Sequence, residues 1–409
     1  MKILVLTGDS KTLVYHRGEL LKRLAEQGLE VVSAATGDSE FVRNFLAKIG
    51  GRFIPLGLCR TGMNPLKDLA SFFEIFQMLR REEPDYLFCY GIKSVIYGTI
   101  GAKLSGVPRT FALIPGLGYT FSPDGTFKQR IAGLAARVMY SIALRGVDKV
   151  FLQNSDDEQL LRDARILPKE TPSFTTAGSG VSLTDFPCRT LADPEKLSHG
   201  TFRFLLISRL LKKKGIAEFA EAAKKVRRKF PNAQFDLVGP FDKSPDGVPL
   251  QLVESWQREG ILNYHGSTRD VRKFLKRANV FVLPTYYREG VPRSILEALS
   301  TGLPIITTDM VGSRETVEIT TQCWNQRKGE SVVHCGNNGI LVPPKDANSL
   351  AEAMVFLLES PDVVASMGQE SRQLAERRFD VHRVNSDILH EMGFTEPITT
   401  SETTLPKAA

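Results

Sequence analysis

The chain has 409 residues, 42% hydrophobic and 24% charged, enough for two or three folded domains, which excludes a small disulfide scaffold and a disordered, charge-dominated chain. The net charge of +7 is uneven: residues 1–190 hold 24 Lys and Arg against 19 Asp and Glu, the remainder 29 against 27. No apolar run reaches the roughly eighteen residues of a transmembrane helix, and no helix-turn-helix, zinc-finger, RRM or KH pattern accompanies the basic balance, so nucleic acid is set aside as a partner.

The chain opens on a buried strand, Ile3 to Leu6, stopped by Thr7-Gly8-Asp9 before it could form a signal-peptide core. Gly8-Asp9-Ser10-Lys11 lacks the G-x-G-x-x-G fingerprint of a dinucleotide-binding turn, which argues against a dehydrogenase. Gly8 either admits close backbone approach or simply makes the turn. Strands Val31 to Ala34, Tyr86 to Cys89, Thr110 to Ile114 and Val150 to Gln153 follow. They alternate with amphipathic segments such as Leu13 to Gln27, Pro65 to Arg81 and Thr126 to Arg145, the pattern of a doubly wound parallel sheet.

Between Lys93 and Lys149 eight basic residues face only Asp124 and Asp148, which points to an acidic partner. Within Thr126 to Arg145, Ile131, Leu134, Ala135, Val138 and Ile142 form one stripe flanked by Arg130 and Arg137. Two readings stay open: a buried domain helix with solvated arginines, or a helix on an anionic membrane surface, where each basic residue contributes about 1 kcal/mol. Phe72, Phe73 and Phe76 offer a second wedge or ordinary core.

Residues 186–200 are polar and rich in turn formers, as in a linker. The alternation then restarts with Phe204 to Ser208, Gln234 to Val238, Leu262 to His265, Val280 to Pro284 and Ile305 to Thr307. The expected architecture is α/β: a first domain over 1–187, a linker over 188–200 and a second domain over 201–378. A C-terminal helix over 379–395 packs back on the first domain, and 396–409 form a tail. Such sheets bind ligands at the carboxyl ends of their strands, so two facing ones enclose an interdomain cleft. The five cysteines (Cys59, Cys89, Cys188, Cys323, Cys335) are odd in number and scattered, as in a reducing cytoplasm. Cys323, His334 and Cys335 lack a fourth ligand at zinc-like spacing, so no metal is expected.

Two stretches carry chemistry. Ile207-Ser208-Arg209-Leu210 leaves a strand, and Lys212-Lys213-Lys214-Gly215 leads into a helix whose N-terminus favours an anion. A diphosphate suits this place, with charge-assisted hydrogen bonds of about 1.5–3 kcal/mol each; a solvated basic turn explains the charges equally well. The second stretch runs from Leu283 through Thr285-Tyr286-Tyr287-Arg288-Glu289-Gly290-Val291-Pro292-Arg293-Ser294 to Glu297 and Leu299. Gly290 lets backbone approach a ligand and Pro292 suits a helix start. Glu289 and Glu297 either accept hydrogen bonds from hydroxyls at two ends of one elongated ligand, or are a helix-capping and a surface Glu.

Arg209 with Lys214, and Glu289 with Glu297 around Gly290-Val291-Pro292-Arg293-Ser294, resemble the donor-site motifs of family 4 retaining glycosyltransferases. That family has GT-B architecture, two facing Rossmann-like doubly wound domains, and the similarity covers nearly the whole chain. Tyr90-Gly91-Ile92-Lys93-Ser94-Val95-Ile96-Tyr97-Gly98 and Gly116-Leu117-Gly118-Tyr119-Thr120-Phe121 resemble the subgroup acting on polyprenyl-diphosphate-linked sugars in bacterial glycan assembly. The resemblance implies that Arg209 and Lys214 hold the donor diphosphate and Glu297 the ribose hydroxyls. Glu289 and the Gly290-Val291 backbone would face the transferred sugar, with Gly8 also on the donor side. Catalysis would fall to Glu289, Arg209 and Lys214, and acceptor binding to Arg17, Lys93, Gly116, Gly118 and Tyr119. The chain departs from the subgroup at Pro115, where Thr is usual, at Ser182, where Gly-Val-Asp is usual, and in a longer connection from Thr320 to Asn337.

The implied activity is retaining transfer of a hexose or N-acetylhexosamine from a UDP-sugar to a polyprenyl-diphosphate-linked saccharide in surface-glycan, O-antigen or glycoprotein-glycan assembly. The UDP-sugar is a co-substrate, with no metal or other cofactor, the chain having no Asp-x-Asp pair. The enzyme would work at the inner face of the cell membrane, touching the anionic surface through Arg130 and Arg137. A nucleotide-sugar 2-epimerase, a soluble-acceptor glycosyltransferase and a non-catalytic sugar-nucleotide-binding subunit are the alternatives.

Overall fold

A computed structural model of the chain describes residues 1–57, 65–118, 127–189, 201–324 and 333–394. The first domain contains β1 (Lys2–Thr7), α1 (Ser10–Glu26), β2 (Glu30–Thr36), α2 (Glu40–Lys48), β3 (Arg52–Leu56), α3 (Pro65–Glu82) and β4 (Tyr86–Tyr90). It continues through α4 (Ile92–Ser105), β5 (Arg109–Ile114), α5 (Phe127–Ala143), β6 (Lys149–Leu152), α6 (Ser155–Asp163) and β7 (Ser173–Thr175). The sheet is parallel, in the order β3-β2-β1-β4-β5-β6-β7. Central β1 is a continuous apolar run, Ile3 to Leu6 fully buried, because helices cover both faces. β3 and β7 are absent from the sequence reading. β3 carries Pro55, which cannot donate to a ladder and is admitted because β3 is an edge strand; β7 is three residues, Ser-Phe-Thr, at the opposite edge.

The second domain contains β8 (Arg203–Ile207), a 3-10 turn (Lys212–Lys214), α7 (Ile216–Lys229), β9 (Gln234–Val238), α8 (Leu250–Arg258), β10 (Asn263–Tyr264), α9 (Arg272–Leu275) and β11 (Val280–Leu283). Then come α10 (Arg293–Ser300), β12 (Ile305–Thr308), β13 (Ile319–Trp324), β14 (Val333–Gly336), β15 (Gly339–Val342), α11 (Ala347–Glu359) and α12 (Pro361–Leu374). A π-helical turn (Ala375–Phe379) precedes α13 (Val381–Glu391). The sheet order is β10-β9-β8-β11-β12-β15-β14-β13, parallel up to β15, with β14 and β13 added antiparallel. Within the long connection from Thr320 to Asn337, β13 and β14 thus pair antiparallel and extend the sheet. Cys335 within it is disulfide-bonded, whereas Cys89 and Cys188 are free, which corrects the expectation of reduced cysteines throughout: an odd count cannot exclude one pair.

The chain crosses between the domains at two adjacent points. Val181 N–H donates to Phe379 O (2.8 Å) and Val381 N–H to Val181 O (3.0 Å). A Cβ on Gly180, at φ +70°, would stand 2.6 Å from Val381 Cα, so the crossing depends on this glycine. Val181 lies in the second domain's core with Leu183 and Phe186 packed against it, so that core gathers residues ahead of the 187/188 boundary. Beyond the second crossing, Val384, Ile388, Leu389, Met392 and Phe394 join Leu13, Leu20 and Leu24 of α1 in a core of the first domain.

The apolar stripe of α5 does not face the sheet. Leu134, Val138 and Ile142 are 65%, 53% and 53% exposed, while Tyr140 and Ala143 are buried instead. This corrects the buried-helix reading for those residues: period 3.6 identifies an apolar face, but packing selects which side meets the sheet. Leu66, Leu69 and Phe73 of α3 are also exposed.

Candidate active site

The site grows from the carboxyl ends of the two sheets. In the first domain β1 runs into Thr7-Gly8-Asp9, and the Asp9 carboxylate accepts from Lys11 N–H (3.1 Å), starting α1 toward the cleft. In the second, β8 ends at Ser208-Arg209 and β11 leads through Tyr286–Pro292 to α10, whose N-terminus opens on the cleft. The domains meet backbone to backbone. A Cβ on Gly290 would collide with Pro115 O and Gln153 Oε1, and one on Gly116, at φ +154°, would lie 2.5 Å from Gly290 N. A buried ion pair seals the same contact: Arg288 Nε donates to Asp157 Oδ1 (2.9 Å). Burial pushes the Asp157 carboxyl up, and Arg288 partly offsets this.

Two contiguous cavities result. One, of about 440 Å³, lies between the domains and is lined by Gly8, Arg17, Tyr90, Lys93, Gly290 and Val291 among others. The other, of about 350 Å³, is lined by Arg209, Lys214, Gly239, Thr268 and Ser294. His16, Glu289, Pro292 and Arg293 line both, so Glu289 stands at the junction.

Charges on the second-domain wall are paired. The Lys214 ammonium donates to Glu289 Oε1 and lies 5.7 Å from the centre of the Tyr287 ring. Arg209, 56% exposed, stands 3.4 Å from Asp242, and Arg293 Nε donates to Glu297 Oε1 at 2.9 Å. Glu297 is largely buried, its carboxyl pushed up by burial with Arg293 opposing, and it lines neither cavity. In the free protein Glu297 thus bonds Arg293, which reaches both cavities.

On the first-domain wall the expected acceptor residues separate. Arg17 and Lys93 line the large cavity, and Lys93 pairs with Asp68 at 2.6 Å. Gly116 and Gly118 line neither cavity and serve the domain contact: Gly116 abuts Gly290, and a Cβ on Gly118 would lie 3.3 Å from the Tyr287 hydroxyl. Tyr119 and the side chain of Arg130 lie outside the described residues, and Arg137 is exposed on α5. His16, Gln153 and the Asp157–Arg288 pair escaped the sequence reading. Nothing in local pattern marks them, although Arg288 and Arg293 stood inside the quoted motif. His16 opens on the cleft, yet its imidazole is held down to about 4 by surrounding protein, Arg293 and Arg17.

Among the described residues no group of three or more His, Cys, Asp or Glu could hold a metal ion, and no helix is long and apolar enough to cross a membrane. Facing parallel sheets with a cationic cleft between them define the GT-B class. Solved neighbours agree on this fold: the Anabaena protein Alr3699/HepE, solved with UDP, at TM-score 0.72 and 19% identity over 96% of this chain and all of that one. A sucrose-phosphate synthase from Thermosynechococcus elongatus follows at 0.73 and 19%, over 95% and 98%.

The particular family follows from the sequence profiles. Residues 14–171 match the "Glycosyl transferase 4-like domain" and 201–360 the "Glycosyl transferases group 1" domain, so the chain belongs to the glycosyltransferases built from this pair. It is 26% identical over 380 residues, 91% of this chain and 93% of the relative, to the N,N'-diacetylbacillosaminyl-diphospho-undecaprenol alpha-1,3-N-acetylgalactosaminyltransferase of Campylobacter jejuni. It is 29% identical over 269 residues, 64% of this chain and 66% of the relative, to the UDP-Gal:alpha-D-GlcNAc-diphosphoundecaprenol alpha-1,3-galactosyltransferase of Escherichia coli.

Proposed function

We propose that this glycosyltransferase moves a hexose or N-acetylhexosamine from a UDP-sugar onto a polyprenyl-diphosphate-linked saccharide, with retention and without a metal, at the inner membrane face. The observation that carries the reading is the pair of cavities meeting at Glu289, one walled by Arg209 and Lys214 and the other opening on the first domain. The names of the Campylobacter and Escherichia relatives support the lipid-linked acceptor, and the latter's also the UDP donor.

The chemistry is electrostatic. As the anomeric C–O bond breaks, negative charge grows on the leaving diphosphate, where Lys214, Arg209 and the N-terminus of α10 are already oriented. Those fixed cations take the part a bound metal would otherwise play. The acceptor hydroxyl then attacks from the leaving-group face and passes its proton to a phosphate oxygen, so the anomeric configuration is kept. Glu289 bonds Lys214 in the free protein and exchanges it for ligand hydroxyls as the diphosphate takes Lys214.

A lipid-linked acceptor requires access to a bilayer. The exposed Leu134, Val138, Met139 and Ile142 on α5, with Arg137 beside them, and Leu66, Leu69 and Phe73 on α3 supply an interfacial face. The test is a transfer assay pairing UDP-sugars with a short polyprenyl-diphosphate sugar, with anomeric coupling constants of the product and a chelator titration. A C2-epimerised UDP-sugar formed with no acceptor product would instead establish the epimerase reading. An inverted product, or activity lost to chelator and restored by magnesium or manganese, would overturn retention or metal independence. Co-sedimentation with anionic vesicles tests the membrane face, and the Leu134→Ser, Val138→Ser double variant should stay in the supernatant.

A further inference from the structure

Arg17, on the second turn of α1, is 3% exposed and faces the large interdomain cavity. Its Nε and Nη1 have no hydrogen-bond partner, and among the described residues no carboxylate pairs with it. The Tyr90 ring centre lies 5.9 Å from its guanidinium carbon, and the Tyr90 hydroxyl is engaged with Thr12 at 3.1 Å. Burying a cation without a counter-charge is costly, and leaving two of its donors unsatisfied adds to that cost. The site therefore suits an anionic ligand that supplies the missing acceptors.

The donor diphosphate does not meet this need. Arg209 and Lys214 stand in the other cavity, which Arg17 does not line. Lys93 and Arg293, which share the large cavity with Arg17, are held by Asp68 and Glu297. Neighbouring His16, lowered to about 4 by the surrounding protein and the adjacent arginines, is neutral near physiological pH and adds no second full charge. A guanidinium fork matches the oxygens of a phosphate in bidentate geometry.

We infer that Arg17 binds a phosphate of the acceptor's own diphosphate inside the large cavity, so that the accepting sugar is the one joined directly to that diphosphate. The inference rests on the lipid-linked acceptor proposed above. It adds a geometric limit: Glu289 and Arg17 line one cavity of about 440 Å³, so the accepting hydroxyl and the acceptor phosphate occupy it together.

The experiment compares wild type, Arg17→Met and Arg17→Lys on two acceptors with the same sugar: a short polyprenyl-diphosphate glycoside and a neutral alkyl glycoside. Arg17→Met should raise KM for the diphosphate acceptor about 30-fold, equivalent to about 2 kcal/mol, leaving the rate with the alkyl glycoside and the affinity for UDP unchanged. Arg17→Lys should recover part of the loss. In UDP-saturated protein, inorganic pyrophosphate should raise the melting temperature of wild type and not of Arg17→Met. The ligand-free Arg17→Met protein should melt no lower than wild type, since it loses an uncompensated charge.

Equal losses with both acceptors would overturn the inference in favour of a general structural role. A fall in UDP affinity would assign Arg17 to the donor. If wild type transfers to neither acceptor, the functional reading fails, and the pyrophosphate arm alone decides whether Arg17 is an anion site.

Discussion

Across the cleft, the second domain presents cations that the protein neutralises itself, Lys214 by Glu289, Arg209 by Asp242 and Arg293 by Glu297, whereas the first presents Arg17 with two unsatisfied donors. On the paired wall an incoming phosphate must displace a carboxylate, so net binding is the difference of two similar interactions. At Arg17 it displaces no hydrogen bond of Nε or Nη1. The general lesson is that the same residue type does different work according to whether a distant element supplies its counter-charge.

The largest way to break this comparison is Lys214→Ala. It removes the charge proposed to face the leaving group and strands Glu289, and turnover should fall about 10²–10³-fold, the range for losing one preorganised electrostatic contact. Steady-state kinetics beside a melting curve measure it; a folded variant within tenfold of wild type would remove Lys214 from the mechanism.

Gly290→Ala tests whether the two walls must touch. The new Cβ collides with the Pro115 carbonyl oxygen, a backbone atom, as well as with Gln153 Oε1, so overpacking should cost about 1–3 kcal/mol and part the domains. Denaturant titration and small-angle scattering would register lower stability and a larger radius of gyration. Unchanged values in both would mean that the contact yields freely.

A smaller effect separates the two glutamates. Glu297→Ala releases Arg293 and should weaken UDP binding about tenfold, while Glu289→Ala should lower kcat with little change in UDP affinity. Calorimetry with UDP distinguishes them, and equal affinity losses would dissolve the division of roles.

The smallest effect is on pH dependence and sharpens the first wall. His16 titrates lower in the folded protein, near 4, than at its ordinary 6.5. Between those values the unfolded chain binds a proton that the folded one does not, so stability falls as pH drops through this window. His16→Gln should flatten that part of the pH–stability curve. Its access to solvent in the cleft keeps the change modest. An unaltered acid limb would show that His16 is not desolvated there.

Much of the architecture could be read directly. Alternating apolar runs and amphipathic segments located ten strands in their final sheets, from Ile3–Leu6 to Ile305–Thr307, with Leu262–His265 shortened to Asn263–Tyr264. What escaped were the edges β3, with its proline, and three-residue β7, the antiparallel β14 and β13 at the end of the second sheet, and β15, a buried interior strand of only four residues. Edge strands bury less and need no long apolar run, so they leave a weak signal. The charged turn at Arg209 to Lys214 and the stretch Glu289 to Arg293 stood out because these cavity-lining loops compress glycine, proline and charge into a few residues.

By itself, then, the sequence determined two doubly wound domains, their order and the loops that face each other, since periodicity and turn chemistry are local properties of the chain. Tertiary structure alone decided that Gly116 abuts Gly290, that Arg293 holds Glu297, that Leu134, Val138 and Ile142 of α5 face outward and that Arg17 has no paired carboxylate among the described residues. Each of these depends on which distant element arrives opposite a residue. Burial and compensation of charge are properties of such pairs, and a linear pattern carries no record of them until the chain has folded.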